Sequence, residues 1–201
     1  MEPPDVDVEV VIAGRSNAGK SSVLRGLTGH DFDVGRRPGV TLEPNTYDYG
    51  DIAFTELPGF GFMSGVDEGR QEEIKDDVVA YLEDAVDRGG VAVHVVDLKS
   101  FSEVFDRWID RGEVPYDLDL HDVLVDLGYD VVVAANKTDK LDDLDGTLDG
   151  VADRLGYPPP WRQWNDVFAP TCAKRGSIET LRDLLRDAVE RAGRPDLVGR
   201  V

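Results

Sequence analysis

Three apolar runs rich in β-branched residues constrain the fold of this chain more than any other feature. They are DVEVVIAG at residues 7–14, GVAVHVVDL at 90–98 and DVVVAANK at 130–137. Continuous apolar runs are typical of strands that other elements cover on both faces. Longer amphipathic stretches separate the three runs. The chain therefore predicts parallel strands joined by helices.

The remaining elements complete this alternation. The segments PNTYDYG and DIAFTEL flank a turn at Gly50-Asp51, and this pattern predicts two strands of a hairpin. The segment DVFAP at 166–170 predicts a short last strand. Helical patterns cover 19–28, 68–88, FDRWIDRG (105–112), HDVLVDLG (121–128) and 177–193. The predicted order is β-α-β-β-α-β-α-β-α-β-α. It implies one three-layer α/β domain over residues 1–201, with a mostly parallel six-stranded sheet, one antiparallel strand and helices on both faces.

The composition is strongly acidic. The chain has 29 Asp and 12 Glu against 16 Arg and 6 Lys, a formal net charge of −19. The charge is spread over the whole length, and 41% of the residues are apolar, so a folded core remains possible. Surfaces rich in Asp and poor in Lys resemble those of proteins from salt-loving archaea, where molar salt screens the repulsion. The alternative is a functional acidic face that repels nucleic acid, and composition alone does not separate the two.

Several protein classes are excluded. No run of 18 or more apolar residues is present, and the start MEPPDVDVEV has neither the basic region nor the apolar core of an export signal. The single cysteine, Cys172, rules out an internal disulfide framework and fits a reducing cytosol. We therefore expect a cytoplasmic protein without a membrane partner.

Residues 14–22, GRSNAGKSS, follow the first predicted strand and open the first predicted helix. They match the phosphate-loop pattern at Gly14, Gly19, Lys20 and Ser21. Glycines let the backbone fold tightly enough for its N–H groups to converge on phosphate, and the helix adds its positive dipole end. Lys20 supplies charge for the outer phosphates, and the Ser21 hydroxyl is a candidate Mg²⁺ ligand. The predicted loop consists of Gly14, Arg15, Ser16, Asn17, Ala18, Gly19, Lys20, Ser21 and Ser22.

Two later loops carry candidate base-binding residues. NKTD follows the strand at 130–137, where the Asp139 carboxylate can accept two hydrogen bonds from guanine but not from adenine. Asn136 can bond the N7 side of the base and brace the phosphate loop, and the Lys137 stem can lie against the base. TCAK follows the last strand and can offer a backbone N–H to the guanine O6 from Thr171, Cys172 or Ala173.

Two further loops are candidates for contact with the γ-phosphate. In ELPGFGF (56–62), Glu56 can hold a Mg²⁺-bound water, and Pro58 precedes Gly59, whose N–H can reach the γ-phosphate. RRPGVT (36–41) carries Gly39 and ends in Thr41, a candidate second Mg²⁺ ligand. We expect both loops to order around the γ-phosphate and to relax after its loss. Lys20, Thr41 and Gly59 are the candidate catalytic residues.

Together these motifs closely resemble the EngB (YihA) family of translation-factor-like GTPases. The matching segments are GRSNAGKSS, RPGVT, LPGFGF and NKTD, and the resemblance covers nearly the whole chain. It implies GTP and GDP binding with Mg²⁺, slow GTP hydrolysis and a role in large ribosomal subunit assembly, with a link to septation in bacteria. Expected partners are the large subunit or its precursor and no DNA, and we expect a monomer.

The chain departs from the family pattern at four places. Glu56 stands where the family has Asp, and the last guanine loop reads Thr171-Cys172-Ala173 instead of S-S or S-A. The segment at 111–122 is an unusually acidic version of a variable region. No family role carries over to the Pro- and Trp-rich segment at 156–166.

Phe60 stands where many regulatory GTPases have a glutamine that orients the attacking water. A phenylalanine cannot do so, which favours slow hydrolysis stimulated by a partner. The resemblance implies another route, because Asn17 in related GTPases helps to hold a K⁺ ion beside the phosphates. The alternative is that Asn17 only braces the loop.

Three alternative functions remain open. The first is a GTP-dependent switch for a protein partner without RNA, the second is an ATPase of the same loop type, and the third is a structural relative that binds no nucleotide. His94 reads as a packed core residue, and His30 and His121 as loop residues that make no metal site. Trp161 and Trp164 can stack on RNA, but packing onto the domain is the favoured interpretation.

Overall fold

The computed structural model describes residues 4–29, 44–59 and 67–201 of the 201-residue chain. Its strands form one sheet in the order β2-β3-β1-β4-β5-β6, in which only the β2–β3 pair is antiparallel. The strands are β1 Val8–Ala13, β2 Asn45–Asp48, β3 Ile52–Glu56, β4 Val91–Asp97, β5 Asp130–Asn136 and β6 Phe168–Pro170. The predicted sheet, with its single antiparallel strand, is confirmed.

Six α-helices lie within the described residues. They are α1 Lys20–Thr28, α2 Glu68–Ala85, α3 Phe101–Ile109, α4 Tyr116–Asp126, α5 Leu144–Arg154 and α6 Glu179–Arg191. Two helices, α3 and α4, lie between β4 and β5, as the helical patterns at 105–112 and 121–128 predict, although the predicted order counts only one helix there. The chain turns between them at Gly112, which has a φ of +73°, and α4 restarts after Pro115. The prediction that His121 lies in a loop is wrong, because it is a buried residue of α4.

The sheet is the middle layer of three. On one face, α1 and α6 pack against alternate residues of the central strands, such as Val10 and Ile12 of β1. On the other face, α2, α3, α4 and α5 cover the intervening residues, such as Val11 and Ala13. Both sets are fully buried, which explains why these strands read as continuous apolar runs. The predicted three-layer architecture is confirmed.

The topology brings five loops to one edge of the sheet. Because β1, β3, β4, β5 and β6 run parallel, the segments that follow them all leave from the same side. In open α/β sheets, ligands bind at this edge, beyond the carboxyl ends of the strands. No helix in the described part of the chain combines the length and apolar character that crossing a bilayer requires.

Candidate nucleotide-binding site

The loop between β1 and α1 has a backbone that two positions restrict to glycine. Gly19 has a φ of +107°, and a Cβ there would lie 2.3 Å from Asn136 Nδ2. Gly14 has a φ of +149°, and a Cβ there would lie 2.4 Å from the carbonyl oxygen of Val95. Asn17 is also left-handed, with a φ of +66°, which asparagine tolerates better than most residues. The loop is therefore packed tightly against β4 and β5.

Lys20 opens α1 and folds over the loop that precedes it. Its Nζ donates to the carbonyl oxygens of Gly14 at 3.1 Å and Arg15 at 3.2 Å, and the residue is 5% exposed. Burial lowers the pKa of Lys20 to about 8, although the negative charges of Glu56 and Asp117 oppose the shift. The ammonium group thus lies at the N-terminus of a helix and retains its charge near neutral pH.

A carboxylate and a hydroxyl meet beside this ammonium. Ser21 Oγ donates to Glu56 Oε1 at 2.8 Å, and Glu56 at the end of β3 is 3% exposed. Burial raises the pKa of Glu56, while the nearby Lys20 and the Ser21 hydrogen bond oppose that rise. Hydroxyl and carboxylate oxygens are ligands that Mg²⁺ prefers, so Ser21 and Glu56 fit a magnesium site in which the ion keeps part of its water shell.

Asn136 joins the phosphate loop to the loop after β6. Its Nδ2 donates to the Ala18 carbonyl oxygen at 3.0 Å, and its Oδ1 accepts from Ala173 N at 3.2 Å and Thr171 Oγ1 at 3.4 Å. Thr138 adds a second link, because its Oγ1 donates to the Thr171 carbonyl oxygen at 3.0 Å. Three loops from three strands therefore have fixed mutual positions.

Lys137 links the same loops from another side. It has a φ of +70°, and its Nζ donates to the Asn17 carbonyl oxygen at 2.8 Å and to Asp97 Oδ2 at 2.7 Å. Asp97 is the last residue of β4 and is 13% exposed through its side chain. The Lys137 stem therefore bridges the phosphate loop and the end of a second strand.

Asp139 lies in the turn that follows Lys137. Lys140 Nζ at 3.0 Å and Arg175 Nη2 at 3.2 Å form ion pairs with its Oδ2. The hydrogen bond from Lys140, followed by one from Cys172, lowers the pKa of Asp139. The carboxylate is therefore ionised at neutral pH and can act only as an acceptor. Cys172 is itself buried, next to this group.

The remaining predicted site residues divide into two groups. Pro58 and Gly59 follow β3, and a Cβ on Gly59 would lie 3.0 Å from the backbone nitrogen of Ser16, so this backbone lies against the phosphate loop. The predictions for Gly39, Thr41 and Phe60 concern residues that lie outside the described part of the chain.

Sequence reasoning missed an ion pair next to the phosphate loop. Arg15 Nε lies 2.6 Å from Oδ2 of Asp117, which is in the first turn of α4 and belongs to the acidic 111–122 segment. Asp97 and Ser100 connect Arg15 to Lys137, and they belong to one of the strand-end loops in which the predicted parallel sheet places chemistry. Their position after β4 was a signal for those two residues, whereas nothing in the pattern distinguished Asp117 from its acidic neighbours.

The 156–166 segment packs onto the domain, in agreement with the favoured interpretation of its tryptophans. Trp161 is buried, and its Nε1 donates to Asp145 Oδ1 at 2.8 Å. Trp164 contacts the ring of Tyr157 edge-on, with centroids 5.2 Å apart. These contacts account for both indole rings without a nucleic-acid partner.

Comparisons with known proteins agree with this geometry. The family model described as 50S ribosome-binding GTPase matches residues 9–137. A probable GTP-binding protein EngB from Halorubrum lacusprofundi is 51% identical over 197 residues, covering 97% of this chain and 96% of the relative. The crystal structure of a probable GTP-binding protein engB superimposes with a TM-score of 0.83 at 35% identity, covering 92% of this chain and 100% of that one.

A more distant likeness concerns the fold alone. The structure of NFeoB from S. thermophilus bound to GDP·AlF₄⁻ and K⁺ matches with a TM-score of 0.54 at 22% identity, covering 93% of this chain and 61% of that one.

Relatives over nearly the full length include proteins from halophilic archaea, in keeping with the acidic composition. On the family model and on full-length identity, this chain belongs to the EngB family of GTP-binding proteins, a group of P-loop GTPases.

Proposed function

We propose that the loops at the carboxyl edge of the sheet form one guanine-nucleotide site. Lys20 lies against the outer phosphates, the loop from Gly14 to Ser22 surrounds them with backbone N–H groups, and the Asp139 carboxylate binds the guanine edge. The observation that carries this proposal is the double hydrogen bonding of Asn136 to Ala18 and Ala173. It holds the phosphate loop and the base loops at a fixed separation, as a ligand that spans both requires.

The Ser21–Glu56 contact supports a division of labour around Mg²⁺. Because the Ser21 hydroxyl donates a hydrogen bond to Glu56, the lone pairs of the Ser21 oxygen remain available for the metal. Thr41 would supply a second ligand, and Glu56 would hold a metal-bound water. The extra methylene of Glu56 relative to Asp is accommodated by this hydrogen bond. When bound, the ion supplies positive charge beside the β- and γ-phosphates.

Hydrolysis then depends on positioning and electrostatics. The Lys20 ammonium offsets charge that develops on the outer phosphates, and Gly59 offers its N–H to the γ-phosphate, since its backbone lies against Ser16. The side chain of Phe60 cannot orient a water molecule, so the intrinsic rate is slow and a partner accelerates it.

The partner that we propose is the large ribosomal subunit or its precursor, with the protein acting as a cytoplasmic switch in subunit assembly. The description of the matching family, 50S ribosome-binding GTPase, supports this proposal. An acidic protein meets RNA unfavourably, so contact is local, screened by salt and assisted by ribosomal proteins.

Co-sedimentation tests this partner. Large subunits and their precursors are incubated with the protein in the GTP-analogue, GDP and nucleotide-free states at molar KCl, and bound protein is quantified. We expect the most binding with the GTP analogue. Equal profiles in all three states contradict the proposal, and nucleotide-dependent capture of a protein with no ribosomal binding favours the alternative switch without RNA.

We also propose that Asn17 helps to bind a K⁺ ion that accelerates hydrolysis. Its left-handed backbone and the Lys137 hydrogen bond to its carbonyl oxygen fix the residue within the loop. A cation held there offsets charge between the β- and γ-phosphates, in the role of an arginine finger. The NFeoB structure that contains K⁺ resembles this chain in fold only, so the proposal does not rest on it.

Single-turnover hydrolysis in matched molar KCl and NaCl tests this role. We expect faster hydrolysis in KCl for the wild type and equal rates for Asn17→Gly, which removes the amide without straining the positive φ. Equal wild-type rates in the two salts would leave Asn17 as a structural residue.

A further inference from the structure

A buried ion pair connects α4 to the phosphate loop. The side chains of Arg15 and Asp117 are 16% and 3% exposed, and Arg15 Nε lies 2.6 Å from Asp117 Oδ2. Removing one member of a buried pair leaves the other charge uncompensated in a low-dielectric environment, and this is strongly unfavourable. The position of Arg15 therefore depends on Asp117.

The backbone of Arg15 is itself part of the nucleotide site. Its carbonyl oxygen accepts from Lys20 Nζ at 3.2 Å and from Ala18 N at 3.2 Å. The side chain held by Asp117 and the carbonyl that supports Lys20 belong to one residue. A displacement of the Arg15 side chain thus moves a support of the phosphate-binding ammonium.

The same guanidinium begins a chain of polar contacts toward the base loop. Arg15 Nη2 donates to Ser100 Oγ at 3.4 Å, and Ser100 Oγ donates to Asp97 Oδ2 at 3.0 Å. Asp97 Oδ2 also accepts from Lys137 Nζ at 2.7 Å, and Lys137 returns to the phosphate loop at Asn17 O. The contacts form a closed circuit from the phosphate loop through the end of β4 and the base loop.

A pair of histidines lies behind Asp117. His94 Nε2 is 3.8 Å from Asp117 Oδ1, His94 Nδ1 is 3.3 Å from His121 Nδ1, and His121 Nε2 is 3.0 Å from Tyr157 Oη. One arrangement satisfies these contacts, with Tyr157 donating to His121, His121 to His94, and the His94 Nε2–H facing the carboxylate. The histidines therefore present an N–H to Oδ1 of Asp117, while Arg15 lies at Oδ2.

Within the described residues, the buried side-chain nitrogen and oxygen atoms without a hydrogen bond are Arg15 Nε, His94 Nε2 and Asp117 Oδ1. All three belong to this cluster, so the charges of Arg15 and Asp117 are held by proximity rather than by well-directed hydrogen bonds. Such a cluster is sensitive to the loss of any one member.

We propose that Asp117 is a positioning residue for the nucleotide site, acting through Arg15 on the phosphate loop and through Ser100 and Asp97 on Lys137. This inference rests on the nucleotide site proposed above. It assigns a role to the acidic segment at 111–122, to which the family resemblance assigns none. The segment sets how long the protein retains its nucleotide.

The test measures release of a fluorescent N-methylanthraniloyl derivative of GDP by stopped flow in molar KCl with Mg²⁺. Asp117→Asn should release the nucleotide about tenfold faster than the wild type, because small displacements of positioning groups have large effects. Asp119→Asn is the matched control, since it removes the same charge from the same helix, where Asp119 pairs with Lys75 in a partly exposed ion pair. It should stay within about twofold of wild type.

A double-mutant cycle separates positioning from general destabilisation. Arg15→Gln and the double variant with Asp117→Asn should release nucleotide at similar rates, because both break one pair and the effects of contacting residues do not add. Ser100→Ala should give a smaller acceleration, about threefold, from the loss of one link. Ser100→Ala also decides the matter if Asp117→Asn does not fold.

The possible results distinguish the two proposals. If wild type retains no guanine nucleotide, the proposed site itself is refuted. If wild type retains it but Asp117→Asn matches Asp119→Asn, or lowers only the melting temperature, the positioning role is refuted. The positioning role also fails if the Arg15 and Asp117 effects multiply, or if Ser100→Ala behaves like wild type.

Discussion

Replacement of Gly19 by alanine tests the contact between the phosphate loop and β5. The φ of +107° at Gly19 is unfavourable for alanine by about 1–2 kcal/mol. The new Cβ would also lie 2.3 Å from Asn136 Nδ2. Asn136 is 3% exposed and bonded on both ends of its amide, so it cannot turn aside without losing its hydrogen bond to Ala18. Leaving that buried group unpaired costs about 1–3 kcal/mol.

The two terms together predict a loss of about 2–5 kcal/mol in the free energy of unfolding. For a chain of this size, each kcal/mol lowers the melting temperature by about 2–4 °C, so we expect a fall of about 10 °C. Thermal unfolding of the nucleotide-free protein in molar KCl, monitored by circular dichroism, measures this fall in melting temperature.

Gly128→Ala is the matched control. Gly128 has a φ of +87°, and apart from its two chain neighbours no described residue has an atom within 4 Å of the Cβ position. This variant carries only the conformational cost, about 1–2 kcal/mol, and should melt about 5 °C below wild type. Equal falls for the two variants would show that Asn136 does not hold the phosphate loop, and would refute the reasoning.

Three further results are expected. Asp139→Asn should shift preference from GTP toward XTP, because an amide can donate where the carboxylate only accepts, and nucleotide competition measures this. Affinity for GDP should fall by up to about tenfold per pH unit above pH 8, since the free protein's Lys20 loses its proton there, while Lys20→Arg should give a flat profile between about pH 7 and 9. The melting temperature should rise between dilute buffer and molar KCl, because at about 0.01 M salt the Debye length reaches about 30 Å and the net charge of −19 repels itself. Unchanged binding preference, pH-independent affinity or a constant melting temperature would each contradict the corresponding expectation.

The sheet was predictable because its strands are covered on both faces. Val91–Asp97 and Asp130–Asn136 read as continuous apolar runs, and the structure buries them between two helical layers. The two helices of the β4–β5 connection were predicted at 105–112 and 121–128, but the start of α4 at Tyr116 was harder to predict. The acidic residues around Pro115 obscure the apolar spacing, and the buried side of α4 includes Asp117 and His121, which a hydrophobic pattern does not detect.

The candidate site was predictable where one loop contains the whole motif. GRSNAGKSS and NKTD each require their residues at short spacing, and the structure joins them through Asn136. The Arg15–Asp117 pair joins residues that are 102 positions apart in number. Its partners lie together because α4 packs against β4, the strand next to β1, and a single sequence carries no sign of that contact.

Nucleotide competition tests the central claim most directly. Unlabelled GDP and ADP are titrated against the fluorescent GDP derivative bound to wild-type protein in molar KCl with Mg²⁺. We expect ADP to need a concentration higher than GDP by about three or more orders of magnitude, because adenine leaves the Asp139 carboxylate without its donors. Displacement by ADP at the same concentration as GDP would contradict a guanine-nucleotide site built from these loops.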